Sequence, residues 1–211
     1  MNVDSIIFDL DGTLWDSIDS ILDIWNETII KYIDVKRKIT VEDLKGVMGL
    51  TINEIGKRFF PTLDEEKSVE ILRVCCEEEC KYLEKSGGKL YNGLEETLEA
   101  LSDKYKLFIV SNCQQGYIEA FLKAHKLNKY FVDYENVGRT GLTKGENINL
   151  IIKRNNLNNP IYVGDTEGDL KSARFASIPF VYAEYGFGNV SEYDYIIHSI
   201  DELLKVIVSI E

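Results

Sequence analysis

The stretch Ile6-Ile7-Phe8-Asp9-Leu10-Asp11 constrains this chain most, because it ends an apolar run with two carboxylates one residue apart. Side chains alternate along a strand, so if Ile6-Ile7-Phe8 is a buried strand, Asp9 and Asp11 share its mouth. Two like charges aimed at one spot repel, and the usual agents that offset this are a bound cation or a shared proton. The run then breaks at Gly12-Thr13.

Two other apolar runs end the same way, Val110-Ser111-Asn112 and Val163-Gly164-Asp165. From residue 94 to residue 208, strand-like runs at 106–110, 130–134, 160–163, 178–182 and 195–197 alternate with helical patterns at 94–101, 118–122, 146–154, 169–176 and 200–208. That alternation predicts an α/β fold, a Rossmann-like parallel sheet with helices on both faces. Ligands of such sheets sit at the carboxyl ends of the strands, beside a topological switch point. Asp9, Asp11, Asp165 and Asp169 can therefore face one cavity. A cluster of four acids needs a cation, and oxygen-only ligation with room for water suits magnesium.

From residue 18 to residue 86 the pattern is wholly helical. Ile18, Ile21, Leu22, Trp25, Ile29 and Ile33 recur at three and four residues, behind Asp16 or Ser17 as a cap. Thr40 with Asp43 is close to a capping box, Asn53 to Ile55 continue a second helix, and Thr62 opens a third that runs to Leu83. This block is too long for a crossover and too apolar for a linker, so it reads as an inserted all-helical cap domain, 18–86. The catalytic core domain is then 1–17 and 87–211.

Composition narrows the partners. The chain has 24 Lys and Arg against 36 Asp and Glu, a formal charge of −12. That field repels nucleic acid and anionic membranes, so neither is an expected partner. No stretch is long and apolar enough to span a bilayer, and the acidic start Met1-Asn2-Val3-Asp4 is unlike a signal peptide, which makes a cytoplasmic location the default. Cys75, Cys76, Cys80 and Cys113 read as free thiols, the first three on or beside the buried face of a helix. Trp15 and Trp25 read as packing residues.

Four motifs in order, Asp9-Leu-Asp11-Gly-Thr13, Ser111-Asn112, Lys144 and Gly164-Asp165-x-x-x-Asp169, resemble the haloacid dehalogenase superfamily of aspartate-nucleophile phosphatases, in its branch with a helical cap after the first strand. The resemblance covers essentially the whole chain. It implies that Asp9 attacks a phosphoryl group and that Asp11 protonates the leaving alcohol, then deprotonates the hydrolytic water. It also implies that Mg2+ is held by Asp9, the backbone carbonyl of Asp11 and Asp165, with Asp169 orienting a ligand water or Lys144. Ser111, Asn112 and Lys144 would hold the phosphate. Plainer readings stay open: Asp9 and Asp11 as helix caps, Ser111 as a turn residue, Lys144 as a surface lysine, and Asp165 and Asp169 as N-terminal helix charges.

Within the family, Asp11 speaks against a dehalogenase, since halide leaves without a proton. The mutases use a histidine in the first cap helix, and the only histidines here are His125 and His198. The closest resemblance is to phosphoglycolate-phosphatase-like enzymes, which implies a small phosphorylated metabolite as partner and a monomer or weak homodimer. A β-phosphoglucomutase-like phosphotransferase, a pyrophosphatase and a non-catalytic phosphate-binding protein remain alternatives. The segment Lys45-Gly46-Val47-Met48-Gly49-Leu50 resembles a cap loop that dips toward the site, where Lys45 or the Gly46 and Gly49 amides would meet a second anionic group; an ordinary interhelical turn is the other reading.

Overall fold

The computed structural model describes residues 2–32 and 37–210; Ile33, the last position of the first helical pattern, lies outside them. Strand β1 (Ser5–Phe8) is followed by β2 (Trp15–Asp16) and four helices, α1 (Ile18–Ile29), α2 (Val41–Lys45), α3 (Ile52–Phe59) and α4 (Glu65–Ser86). The chain then returns through β3 (Lys89–Leu90) to α5 (Leu94–Ser102), β4 (Lys106–Ser111), α6 (Tyr117–His125), β5 (Phe131–Asn136) and α7 (Val137–Thr140). It closes with α8 (Lys144–Asn155), β6 (Pro160–Gly164), α9 (Glu167–Phe175), β7 (Phe180–Ala183), β8 (Tyr195–Ile197) and α10 (Leu203–Ile210).

Six strands form one parallel sheet in the order β5-β4-β1-β6-β7-β8. β1 lies at its centre, with Ile7 opposite Phe108 on one side and Tyr162 on the other. A central parallel strand is covered on both faces, which is why β1 reads as a continuous apolar run rather than an alternating one. Ile7, Phe108 and Tyr162 pack with Ile148 and Ile151 of α8 on one face. Ile6, Phe8, Ile109 and Val163 belong to the core on the other face. Chain order reverses at β1, so the switch-point crevice opens at the carboxyl ends of β1, β4 and β6.

The helices α1–α4 form the cap, and their starts follow from local chemistry. Thr40 and Asp43 complete the capping box of α2, and Thr51 with Glu54 starts α3 as a separate helix rather than a continuation of α2. The Asp64 carboxylate accepts the Lys67 N–H at 2.8 Å and opens α4. At the first cap helix the expected roles divide. Asp16 accepts the Ile18 N–H at 3.0 Å, while the Ser17 hydroxyl is turned inward, to Asp11. The two chain crossings into and out of the cap pair as a short antiparallel ribbon, Trp15 with Leu90 and Asp16 with Lys89. The cap is closed on the core: α4 packs along α6, Lys123 pairs with Glu84, and Asn112 donates to the Gly49 carbonyl at 2.6 Å. All four cysteines are free, with Cys75 and Cys76 buried on α4. Among the described residues no helix is long and apolar enough to cross a membrane.

Candidate active site

Asp9 leaves the end of β1, Ser111 ends β4, Asp165 follows β6, and all three side chains are buried. Lys144 is the first residue of α8, whose start is set by the Thr143–Glu146 capping box, and it is also buried. Its ammonium reaches Asp9 Oδ1 at 2.9 Å and Asp169 Oδ1 at 2.6 Å. Burial works against that charge, but the two carboxylates win and hold the Lys144 pKa above its ordinary value. The surface reading of this lysine does not survive.

Asp169 is held from its own helix. Its Oδ2 accepts the Thr166 hydroxyl at 2.6 Å and the backbone N–H groups of Thr166 and Asp165 at 2.9 and 3.2 Å. The capping box of α9 thus doubles as the mount that points Oδ1 at Lys144. Asp165 accepts the Phe187 N–H at 2.7 Å and lies against bare backbone. A Cβ at Gly12, whose φ is +79°, would stand 2.2 Å from its Oδ2, so glycine alone fits that turn.

One carboxylate oxygen from each of Asp9, Asp165 and Asp169 lies within 4.8 Å of the others. Burial, with the charges of the neighbouring acids, pushes Asp9 up to about 7 and Asp165 well above the carboxylate range, although Lys144 opposes it. Three buried acids against one ammonium leave an excess of negative charge that a hard divalent cation would neutralise, and an all-oxygen donor set suits such an ion. The residues present therefore fit a divalent metal.

Asp11 is arranged differently. Its Oδ1 accepts from Tyr117 at 2.8 Å, Trp15 Nε1 at 2.9 Å and Ser17 at 3.1 Å. All three bonds go to Oδ1, and Oδ2 has no protein partner among the described residues. Burial raises the group to about 6, while the three donors restrain the rise. A carboxyl near 6 exchanges a proton close to neutral pH, which is what an acid that must also act as base requires.

Asp9 and Asp11 open onto a cavity of about 890 Å³ under the cap, which Ser111 and Asn112 also line. Lys45 and Gly46 are placed elsewhere. Both are exposed at the end of α2, the Gly46 carbonyl accepts from Arg58 at 2.7 Å, and the loop meets the cavity only from Val47 onward. Tyr117, Trp15 and Ser17 are the residues that sequence reading did not assign to the site. Trp15 and Ser17 stood beside the motif as packing and capping positions; for Tyr117, 106 residues from Asp11, no local signal exists.

An open parallel sheet with buried acids at its switch point, an ammonium between them and a carboxyl raised to about 6 beside them make a site suited to hydrolysing phosphate esters and able to hold a divalent metal. Residues 6–183 match the family model of haloacid dehalogenase-like hydrolases, and the chain belongs to that family. It carries the fold and acid cluster of a phosphatase of that kind. A phosphoglycolate phosphatase from Vibrio vulnificus (strain YJ016) is 25% identical, over 96% of this chain and 95% of the relative. A predicted phosphatase from Clostridium acetobutylicum superposes with a TM-score of 0.82 at 26% identity, covering 99% of this chain and all of the other (100%). A predicted phosphoglycolate phosphatase from Haemophilus somnus 129PT shares the fold with a TM-score of 0.84 at 22% identity, over 98% of each chain.

Proposed function

We propose that this protein hydrolyses small phosphomonoesters with Mg2+ as cofactor, through an aspartyl phosphate on Asp9. The observation that carries the reading is the pair of unlike acids two residues apart: Asp9 beside Lys144 and the acid cluster, Asp11 with one oxygen held and the other free. The Asp9 carboxylate attacks phosphorus as the bond to the leaving oxygen breaks, and Asp11 Oδ2 gives its proton to that oxygen. Asp11, now ionised, takes a proton from water as the water attacks the acyl phosphate, which frees inorganic phosphate and restores Asp9.

Lys144, the Ser111 hydroxyl and the second hydrogen of the Asn112 amide hold the phosphoryl oxygens, the first Asn112 hydrogen being used on Gly49. Asp9, the Asp11 backbone carbonyl and Asp165 would hold the metal, with Asp169 acting through water or Lys144; bound there, it supplies charge neutralisation at the phosphoryl oxygens. The phosphoglycolate phosphatases among the relatives support a small substrate, and the closed cap supports one that fits beneath it.

The test is phosphate release from a panel of phosphorylated metabolites after exhaustive chelation. Turnover should vanish, return with Mg2+ and not with Ca2+, whose larger radius and looser coordination misplace the nucleophile. Release that ignores chelation would overturn the reading.

A further inference from the structure

The wall of the cavity facing the core site has a composition of its own. Ile21, Trp25, Leu44, Val47, Ile55 and Leu72 make it apolar. Its only cationic side chains among the described residues, Arg73 and Lys81, are exposed. Among the described residues one carboxyl is buried in the cap wall: Glu79 of α4, 3% exposed. Its Oε2 accepts Trp25 Nε1 at 3.3 Å and Gln114 Nε2 at 3.2 Å, so a cap helix and a core loop both fix it. No hydrogen bond reaches Oε1 among the described residues, and it is not one of the sealed polar atoms that lack a partner, so it is open to the cavity that Glu79 lines.

An oxygen that lines a cavity and has no protein partner is free to bond a ligand group in place of water. An anionic leaving group would find no buried cation in the cap wall to pair with, the buried Lys144 being held by Asp9 and Asp169 on the other side of the cavity. An uncharged alcohol with an apolar body and a hydroxyl suits both the wall and the acid. Burial and the Asp11 charge raise Glu79 to about 8, so the group is protonated at neutral pH and able to donate as well as accept.

We propose that Glu79 is the specificity-determining residue of the cap, hydrogen-bonding a hydroxyl of an uncharged leaving alcohol. The preferred substrate class is then the monophosphate of a small polyol or sugar rather than of a hydroxy acid. This rests on the phosphomonoesterase reading above and narrows it away from the phosphoglycolate that the relatives' names carry.

The experiment is a comparison of kcat/KM for four probes with the full chain and Mg2+. Glycerol 1-phosphate leaves an uncharged alcohol, phosphoglycolate an acid, O-phosphoethanolamine an ammonium, and p-nitrophenyl phosphate a phenol with no hydroxyl beyond its leaving oxygen. Wild type should favour glycerol 1-phosphate over phosphoglycolate and O-phosphoethanolamine by about tenfold or more. Glu79→Gln, which keeps size and hydrogen bonding, should stay within about threefold of wild type on glycerol 1-phosphate. Glu79→Leu should lose about tenfold there and several-fold less on p-nitrophenyl phosphate.

A wild-type preference for phosphoglycolate or O-phosphoethanolamine overturns the proposal, as does an equal loss on all probes in both variants. Should Glu79→Leu fail to fold, the wild-type ratios and Glu79→Gln still decide it. Absence of turnover of any probe by wild type, p-nitrophenyl phosphate included, would instead bring down the phosphatase reading on which the proposal stands.

Discussion

The floor and the roof of the cavity handle charge in opposite ways. On the floor, Asp9, Asp165 and Asp169 crowd around Lys144, and burial strengthens every interaction among them. On the roof, apolar side chains from α1 to α4 surround one buried carboxyl whose partners are neutral N–H groups. The floor gathers buried charge, whereas the charged side chains of the roof, Arg73, Glu77 and Lys81, are exposed. Chemistry and selection therefore sit on separate parts of the chain, joined at Asp11, whose held oxygen takes donors from β2, from the start of the cap and from α6.

The largest expected break in this division is Asp9→Asn. It removes the nucleophile without changing volume, so kcat should fall by on the order of 10⁴-fold or more for every substrate while the circular dichroism spectrum and melting are preserved. Residual activity that depends on the leaving group would mean that Asp9 only positions the phosphate.

Asp11→Asn should cost about 10²- to 10⁴-fold with alkyl phosphates, whose leaving oxygen needs the proton. Formation of the intermediate from p-nitrophenyl phosphate should suffer far less, because that leaving group departs as an anion. Pre-steady-state bursts measure the two separately, and equal losses would take the acid role away from Asp11.

Tyr117→Phe tests the junction. The lost donor stabilised the Asp11 carboxylate, so the Asp11 pKa should rise from about 6 and the alkaline limb of kcat should move to higher pH, with a rate loss of about tenfold. A lower rate with an unmoved limb would reduce Tyr117 to packing.

The smallest effect separates roof from floor by stability alone. Glu79 is raised to about 8 from an ordinary 4.5, chiefly by burial, so the folded chain keeps a proton that the unfolded chain gives up. Stability from this group is full below the unfolded pKa and is lost as pH climbs toward 8. Glu79→Gln carries no such proton, so between about pH 5 and 8 its stability, followed by Tm, should gain on wild type by up to about 1.4 kcal/mol per pH unit. Parallel Tm curves would show that Glu79 is already ionised in the fold.

Much of the floor was legible from local pattern. An apolar run that ends in acids marks a strand and its carboxyl end together, and the sheet rule then brings Asp9, Ser111 and Asp165 to one crevice without further information. Lys144 comes from the family resemblance alone; by position it reads as a surface lysine, and only the structure shows it buried at the start of α8. The cap was legible only as helices. Lys45 has the charge expected of an anchor, yet α2 turns it to solvent.

Glu79 shows the limit most clearly. It stands in the run Glu77-Glu78-Glu79, three identical residues that a sequence reads as one solvated face. Helical rotation of about 100° per residue separates them, and the packing of α4 against α6 and α1 decides which one goes inside. Glu77 ends up exposed and Glu79 buried against Trp25 and Gln114, residues 54 and 35 positions away. Periodicity determines that a helix has an inner face, whereas what that face meets is set by distant chain, and so the roof of this site belongs to the tertiary structure alone.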